Sequence, residues 1–183
     1  MSRVAVVGGG SWGTALADLL ARKGLPVTIW AREPEVVEAI NRQHVNAVFL
    51  PGAALAPSLV ATGDLPAAVR GADVVVSAAP SHAVRAVMTR AAPAMGERAL
   101  VVSVSKGLEA ESLKTMSRVV ADVLGPRAVP AVLSGPSFAQ EVHQRQPTAV
   151  VAAAADITAA QRVQQVFSSD AFRVYSHTDV VGV

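Results

Sequence analysis

The chain has 183 residues, 51% of them hydrophobic and 16% charged, enough apolar material for a full core and too little charge for disorder. It contains no cysteine, which excludes disulfides, thiolate metal sites and cysteine nucleophiles and fits a reducing, cytoplasmic setting. A net charge of +2, with 16 Lys and Arg against 14 Asp and Glu, leaves no nucleic-acid footprint, and no apolar run approaches the ~20 residues of a membrane span.

Short β-branched runs alternate with helix-patterned segments along the chain. Strand Val4 to Val7 leads into helix Trp12 to Lys23, and strand Val27 to Trp30 into helix Glu35 to Asn46. The stretch around Phe49, continuing through LPGAALAPS, is irregular and long enough to reach over a ligand. Strands are predicted next at Leu59 to Thr62 and Val74 to Ala78, then helix His82 to Ala92, strand Leu100 to Val104 and helix Glu111 to Leu124. Strand Ala131 to Leu133, helix Phe138 to Gln144, a strand near Ala149 to Ala152, helix Thr158 to Phe167 and a strand near Arg173 to Tyr175 complete the series. Apolar strands separated by helices specify βαβ units: an α/β fold whose mainly parallel sheet is covered by helices on both faces.

The first strand-to-helix turn reads GGGSWG, and Gly8, Gly10 and Gly13 within it form G-x-G-x-x-G. After a strand and at the start of a helix, this spacing points to a dinucleotide. Gly8 allows the tight turn, Gly10 lets a pyrophosphate approach the backbone, and Gly13 lets helix and strand pack closely. The free N–H groups around Ser11 and Trp12 then meet the phosphates at the positive end of the helix. Gly9, in an x position, receives no role from the motif.

The second strand ends in TIWAREPE. A carboxylate in this place selects NAD by its ribose hydroxyl, whereas an arginine accepts the 2′-phosphate of NADP. Pro34 suits a helix start; if Glu33 belongs to that start, Arg32 is left to read the ribose side, a lean towards NADP over NAD. As an exposed arginine, Arg32 would have no such role.

Three later stretches fall at carboxyl ends of strands, where ligands bind in open α/β sheets. In VVVSAAPSHAV, Ser81 reads as a helix cap and His82 as a solvated residue, on a loop able to touch the cofactor. In VVSVSKGLEAES, Lys106 is either solvated or placed to hold a phosphate or polarise a substrate oxygen. In VLSGPSFAQEV, Gly135, Ser137 and Ala139 form either a capping turn or a cluster of donors for a ligand.

In order, GGGSWGTALA, the W-x-R of Trp30 to Arg32, NAVFLPG, SKGLE, LSGPSFAQEV with the PTA after it, and VYSHTDVVGV resemble the successive motifs of bacterial-type NAD(P)-dependent glycerol-3-phosphate dehydrogenases. The resemblance runs the length of the chain, and SKGLE followed by SGPSFA is far more specific than the glycines. It implies a Rossmann-type, doubly wound domain in which Ser11, Trp12, Arg32, Phe49 and Ala139 contact the dinucleotide. Lys106 would sit between cofactor and substrate as the catalytic candidate, with Gly135 and Ser137 at the glycerol phosphate and no metal involved. The reaction implied is reversible hydride transfer between C4 of the nicotinamide and C2 of sn-glycerol 3-phosphate, giving dihydroxyacetone phosphate and feeding glycerophospholipid synthesis. A cytoplasmic homodimer is implied for the full-length protein.

Two departures stand out: Gly9 replaces the alanine usual in the fingerprint, and His177 stands where asparagine is usual. Family members also continue past the position of Val183 into an all-helical domain with a further lysine and phosphate-clamping residues. On that resemblance, residues 1–183 are the dinucleotide-binding domain of a longer enzyme, holding cofactor without full activity. The competing readings are a related 2-hydroxy or keto acid dehydrogenase, which would share the glycines but not SKGLE and SGPSFA, and a non-catalytic NADP-binding module.

Overall fold

A computed structural model describes residues 1–183. Strands β1 (Val4–Val7) and β2 (Val27–Trp30) flank helix α1 (Ser11–Arg22), and α2 (Pro34–Gln43) follows β2. A hairpin of β3 (Val45–Asn46) and β4 (Leu50–Ala54) precedes β5 (Val60–Thr62), α3 (Leu65–Val69), β6 (Val74–Ser77) and α4 (Ser81–Ala91). Then come β7 (Ala99–Ser103), α5 (Met116–Leu124), β8 (Ala128–Ser134), α6 (Ala139–His143), β9 (Thr148–Ala153), α7 (Ile157–Phe167) and β10 (Phe172–His177).

Eight strands form one sheet in the order β10-β9-β8-β7-β6-β1-β2-β5. From β5 through β2, β1, β6 and β7 to β8 every pairing is parallel, and this run reproduces the 3-2-1-4-5-6 order of a doubly wound dinucleotide fold. The order reverses between β1 and β6, which opens a crevice at their carboxyl ends. Strand β9 joins β8 antiparallel and β10 joins β9 parallel, so the mainly parallel expectation holds with one reversal at the far edge.

The two faces of the sheet are sorted by the alternation of side chains along each strand. Val4 and Val6 of β1 share a core with Leu16 and Leu20 of α1, Ile40 of α2, Val142 of α6, and Val163 and Phe167 of α7. Ala5 and Val7 face the other way, against Leu65 of α3, Val84 and Met88 of α4, and Val119 and Leu124 of α5. Burial on both faces is why these strands are apolar throughout rather than alternating.

Three expectations need correcting. Helix α2 stops at Gln43 rather than Asn46, because His44 turns left-handed at φ 55° and ends it; the apolar spacing runs on past a stop that no glycine announces. The irregular stretch around Phe49 is instead the β3–β4 hairpin. Helix α5 begins at Met116, not Glu111, since Leu113 sits at φ 55° within a turn closed by the Leu108–Thr115 bridge. Helix α3 was not foreseen; Asp64 caps it by accepting the Ala67 N–H, but five residues are too few to show a helical period.

Candidate functional site

The glycines divide their labour in a way spacing alone does not show. Gly8, at φ 130°, donates its N–H to the Trp30 carbonyl at 3.0 Å, and a Cβ there would stand 2.8 Å from the Ala78 carbonyl. A Cβ on Gly13 would lie 2.0 Å from the Gly8 oxygen, and one on Gly9 would lie 2.6 Å from Cβ of Ala31. These three positions are closed by the protein itself, so Gly9 has a packing role against the end of β2. Gly10 differs: a Cβ there would meet nothing within 4 Å.

The open space at Gly10 lies where α1 begins. Gly10 occupies the N-cap in extended backbone, with no side chain capping the helix and no acidic residue in its first turn. The first N–H groups of a helix have no acceptor within it, and the helix places about half a positive charge at this end. A diphosphate placed there would supply the missing acceptors. Ser11 beside the space is exposed, while Trp12, Phe49 and Ala139 all pack onto the α1 side of the core, which brings three of the expected contacts to one face.

Glu33 occupies the N-cap of α2 with Pro34 after it, but its side chain makes no cap. Its carboxylate instead accepts from Arg32 Nε at 3.2 Å and Nη2 at 3.0 Å. Arg32 is 84% exposed, so the pair is weak and displaceable, and a 2′-phosphate at Arg32 would compete with Glu33.

The loops after β6 and β7 lie side by side. Ser105 donates to the carbonyls of Ser77 and Ala79 at 3.2 and 2.5 Å, and a Cβ on Gly107 would be 3.6 Å from the Ser81 hydroxyl. Ser81 is not the cap expected: Pro80 takes that place and Ser81 is the first helical residue. His82 is exposed, and so is Lys106, which makes no ion pair. Downstream, Glu109 accepts two bonds at 2.8 Å from Arg85 of α4 and a further one from Ser112. Chiefly through the Arg85 bonds, the Glu109 carboxyl is held down at about 2. Arg85 and Lys114 also reach Asp122 of α5 at 3.4 and 2.6 Å.

At the turn after β8, a Cβ on Gly135 would stand 3.0 Å from Cα of Val150, so close approach of β9 requires glycine. Ser137 is buried and donates to the Gly135 carbonyl at 3.3 Å. Helix α6 begins two residues later with Ala139 and packs on α1. Asp18 of α1 makes that joint: fully buried, it accepts from His143 Nδ1 of α6 at 3.1 Å, Arg22 Nε at 2.9 Å and the Ala56 N–H at 2.7 Å.

Because β1, β2, β6, β7 and β8 run parallel, the turns carrying Gly8 to Gly13, Arg32, Ser81, Lys106 and Gly135 to Ala139 all leave one edge of the sheet. Sequence reasoning missed the residues that hold them: Asn46, Asp18, Ser105 and Glu109. The one signal for Asp18 is its spacing: it stands four and three residues after Thr14 and Ala15 and three before Ala21, an acidic residue among small ones on a single helix face. A cavity of about 430 Å³ lies instead at the far end of α1 around Arg22, Lys23 and Arg145, away from the glycine turn. His177 is exposed and accepts the Asp179 N–H at 2.9 Å, a turn contact that an asparagine can also make.

Residues 3–160 match the family described as NAD-dependent glycerol-3-phosphate dehydrogenase N-terminus. The chain belongs to this family. It is 50% identical over 183 residues to a glycerol-3-phosphate dehydrogenase [NAD(P)+] of Geobacter metallireducens and 50% identical over 182 residues to that of Rhodospirillum rubrum, with 99% and 100% of the chain covered. A glycerol-3-phosphate dehydrogenase structure from Coxiella burnetii superimposes with a TM-score of 0.91 at 35% identity over 99% of the chain. The chain spans about half the length of these relatives: 55%, 52% and 55% respectively.

Proposed function

We propose that residues 1–183 form the dinucleotide-binding unit of an NAD(P)-dependent glycerol-3-phosphate dehydrogenase, interconverting dihydroxyacetone phosphate and sn-glycerol 3-phosphate. The observation that carries this reading is the open space at Gly10 before the uncapped start of α1, in a chain whose relatives carry that name. When bound, the nicotinamide supplies the hydride chemistry. The chain's own part is to hold and orient. The first N–H groups of α1 hold the pyrophosphate, and Arg32 reads the ribose side, favouring NADP. Phe49 and Ala139 line the dinucleotide from the hairpin and from α6.

Lys106 is the charge-bearing candidate for the reacting centre. Its ammonium is exposed and unpaired, and an unneutralised cation stabilises the alkoxide character that grows on the C2 oxygen during hydride transfer. Gly135 and Ser137 lie on the substrate side. The lack of cysteine fits a reducing cytoplasm, and no helix is long and apolar enough to cross a membrane. The test is oxidation of NADPH by dihydroxyacetone phosphate in an enzyme chain carrying these residues. Lys106→Ala should lower kcat/KM by about a hundredfold or more while NADPH affinity holds. Near-normal turnover returns Lys106 to a solvated loop, and an absence of turnover in the unsubstituted chain favours a non-catalytic binding module.

A further inference from the structure

Behind the glycine turn lies a buried polar knot. Asn46 at the end of β3 is fully buried and uses both halves of its amide. Its Nδ2 donates to the Gly9 carbonyl at 2.9 Å and to Thr14 Oγ1 at 2.8 Å, and its Oδ1 accepts the Phe49 N–H at 3.1 Å. Thr14 Oγ1 donates to the same Gly9 carbonyl at 3.2 Å. Two side chains thus converge on one backbone oxygen, which a glycine-rich turn does not need merely to reverse direction.

The peptide plane gives this convergence its meaning. The Gly9 carbonyl and the Gly10 N–H belong to one peptide unit, which is planar and trans, so the two groups point in opposite directions. Fixing the oxygen inward on Asn46 and Thr14 therefore turns the Gly10 N–H away from them, and no acceptor within the chain takes it. We propose that Asn46 is a positioning residue for the dinucleotide: through the Gly9 carbonyl it aims the Gly10 N–H at the pyrophosphate, and through the Phe49 N–H it ties the hairpin to the same turn. This rests on the dinucleotide reading of the site. A glycine peptide left free rotates easily, and the anion would have to order it on binding; Asn46 removes that cost in advance.

The experiment starts with NADPH titrated into the wild-type chain, followed by Trp12 and Trp30 fluorescence. Asn46→Leu, close to asparagine in size, removes all three hydrogen bonds. With folding checked by thermal melting, it should weaken NADPH binding by about tenfold or more, the loss expected for such buried contacts. A second measurement needs no variant: exchange of the Asn46 side-chain amide protons by NMR. An anion on the Gly10 N–H polarises the shared peptide and strengthens the Gly9 carbonyl as an acceptor, so exchange should slow on saturation with NADPH. Binding also slows exchange throughout the fold, so a purely structural contact would slow only as much as amides of the distant β9–β10 pair, and Asn46 should slow by more. Wild-type affinity in a folded Asn46→Leu chain, or slowing of Asn46 no greater than that of the β9–β10 amides in the wild type, overturns the proposal. If the wild-type chain binds no NADPH, the functional reading itself fails, and that result is separate because it is obtained first.

Discussion

On the reading proposed for Arg32, cofactor selectivity is a contest between Arg32 and its neighbour Glu33. A 2′-phosphate must draw the guanidinium from a carboxylate that holds it through two nitrogens. Arg32→Ala should weaken NADPH binding by about 1.5 to 3 kcal/mol, the worth of a charge-assisted bond, and leave NADH affinity unchanged. Glu33→Gln should tighten NADPH binding, since it frees the guanidinium and removes a negative charge from the phosphate. Parallel titrations of both cofactors check the pair, and equal effects on NADH contradict the role. Its place at the end of the second strand singled this residue out as a candidate but did not give its tether, because the sequence does not say where a side chain at a helix N-cap turns. The glycines show the same limit. Their spacing marks a turn, yet only packing shows that Gly13 is closed by the Gly8 carbonyl at 2.0 Å while Gly10 is open. Gly13→Ala should therefore lower stability by about 1 to 3 kcal/mol through overpacking, read in denaturant melts.

Among the elements, the loop carrying Lys106 is pinned by charges from two helices. Glu109, on the same loop, pairs with Arg85 of α4. Its carboxyl falls from an ordinary value of 4.5 to about 2. A depressed folded value means that this contribution is complete above pH 4.5 and lost as the pH falls through about 2. Exchange of the Leu113 N–H, which bonds to the Glu109 carbonyl, should accelerate relative to the core across that window. In Arg85→Leu the Glu109 carboxyl should titrate nearer 4.5 by NMR. A titration unchanged in the variant would show that the depression comes from elsewhere. SKGLE was legible as a motif; its anchor was not, because Arg85 lies 24 residues away. The hairpin escaped notice for a related reason: two- and five-residue strands offer too few alternations to read.

At the scale of the whole molecule, the parallel sheet and its helical cover followed from the apolar strands, whereas the reversal at β9 did not, since strand direction at a sheet edge depends on which partner it meets. The carboxyl edge brings the candidate site together, and Asp18 braces it from behind by joining α1, α6 and the segment after β4. Asp18→Ala leaves Ala56 N–H, Arg22 and His143 without their acceptor and should cost about 1 to 3 kcal/mol or more, measured by denaturant unfolding. The central claim is that an anionic dinucleotide occupies the space before Gly10. Calorimetric titration of NADPH into the wild-type chain and Gly10→Val tests it most directly, because a Cβ at Gly10 meets nothing within 4 Å and the fold should be intact. The account predicts binding by the wild type and its loss in the variant at unchanged thermal stability; equal affinity in the two would contradict it.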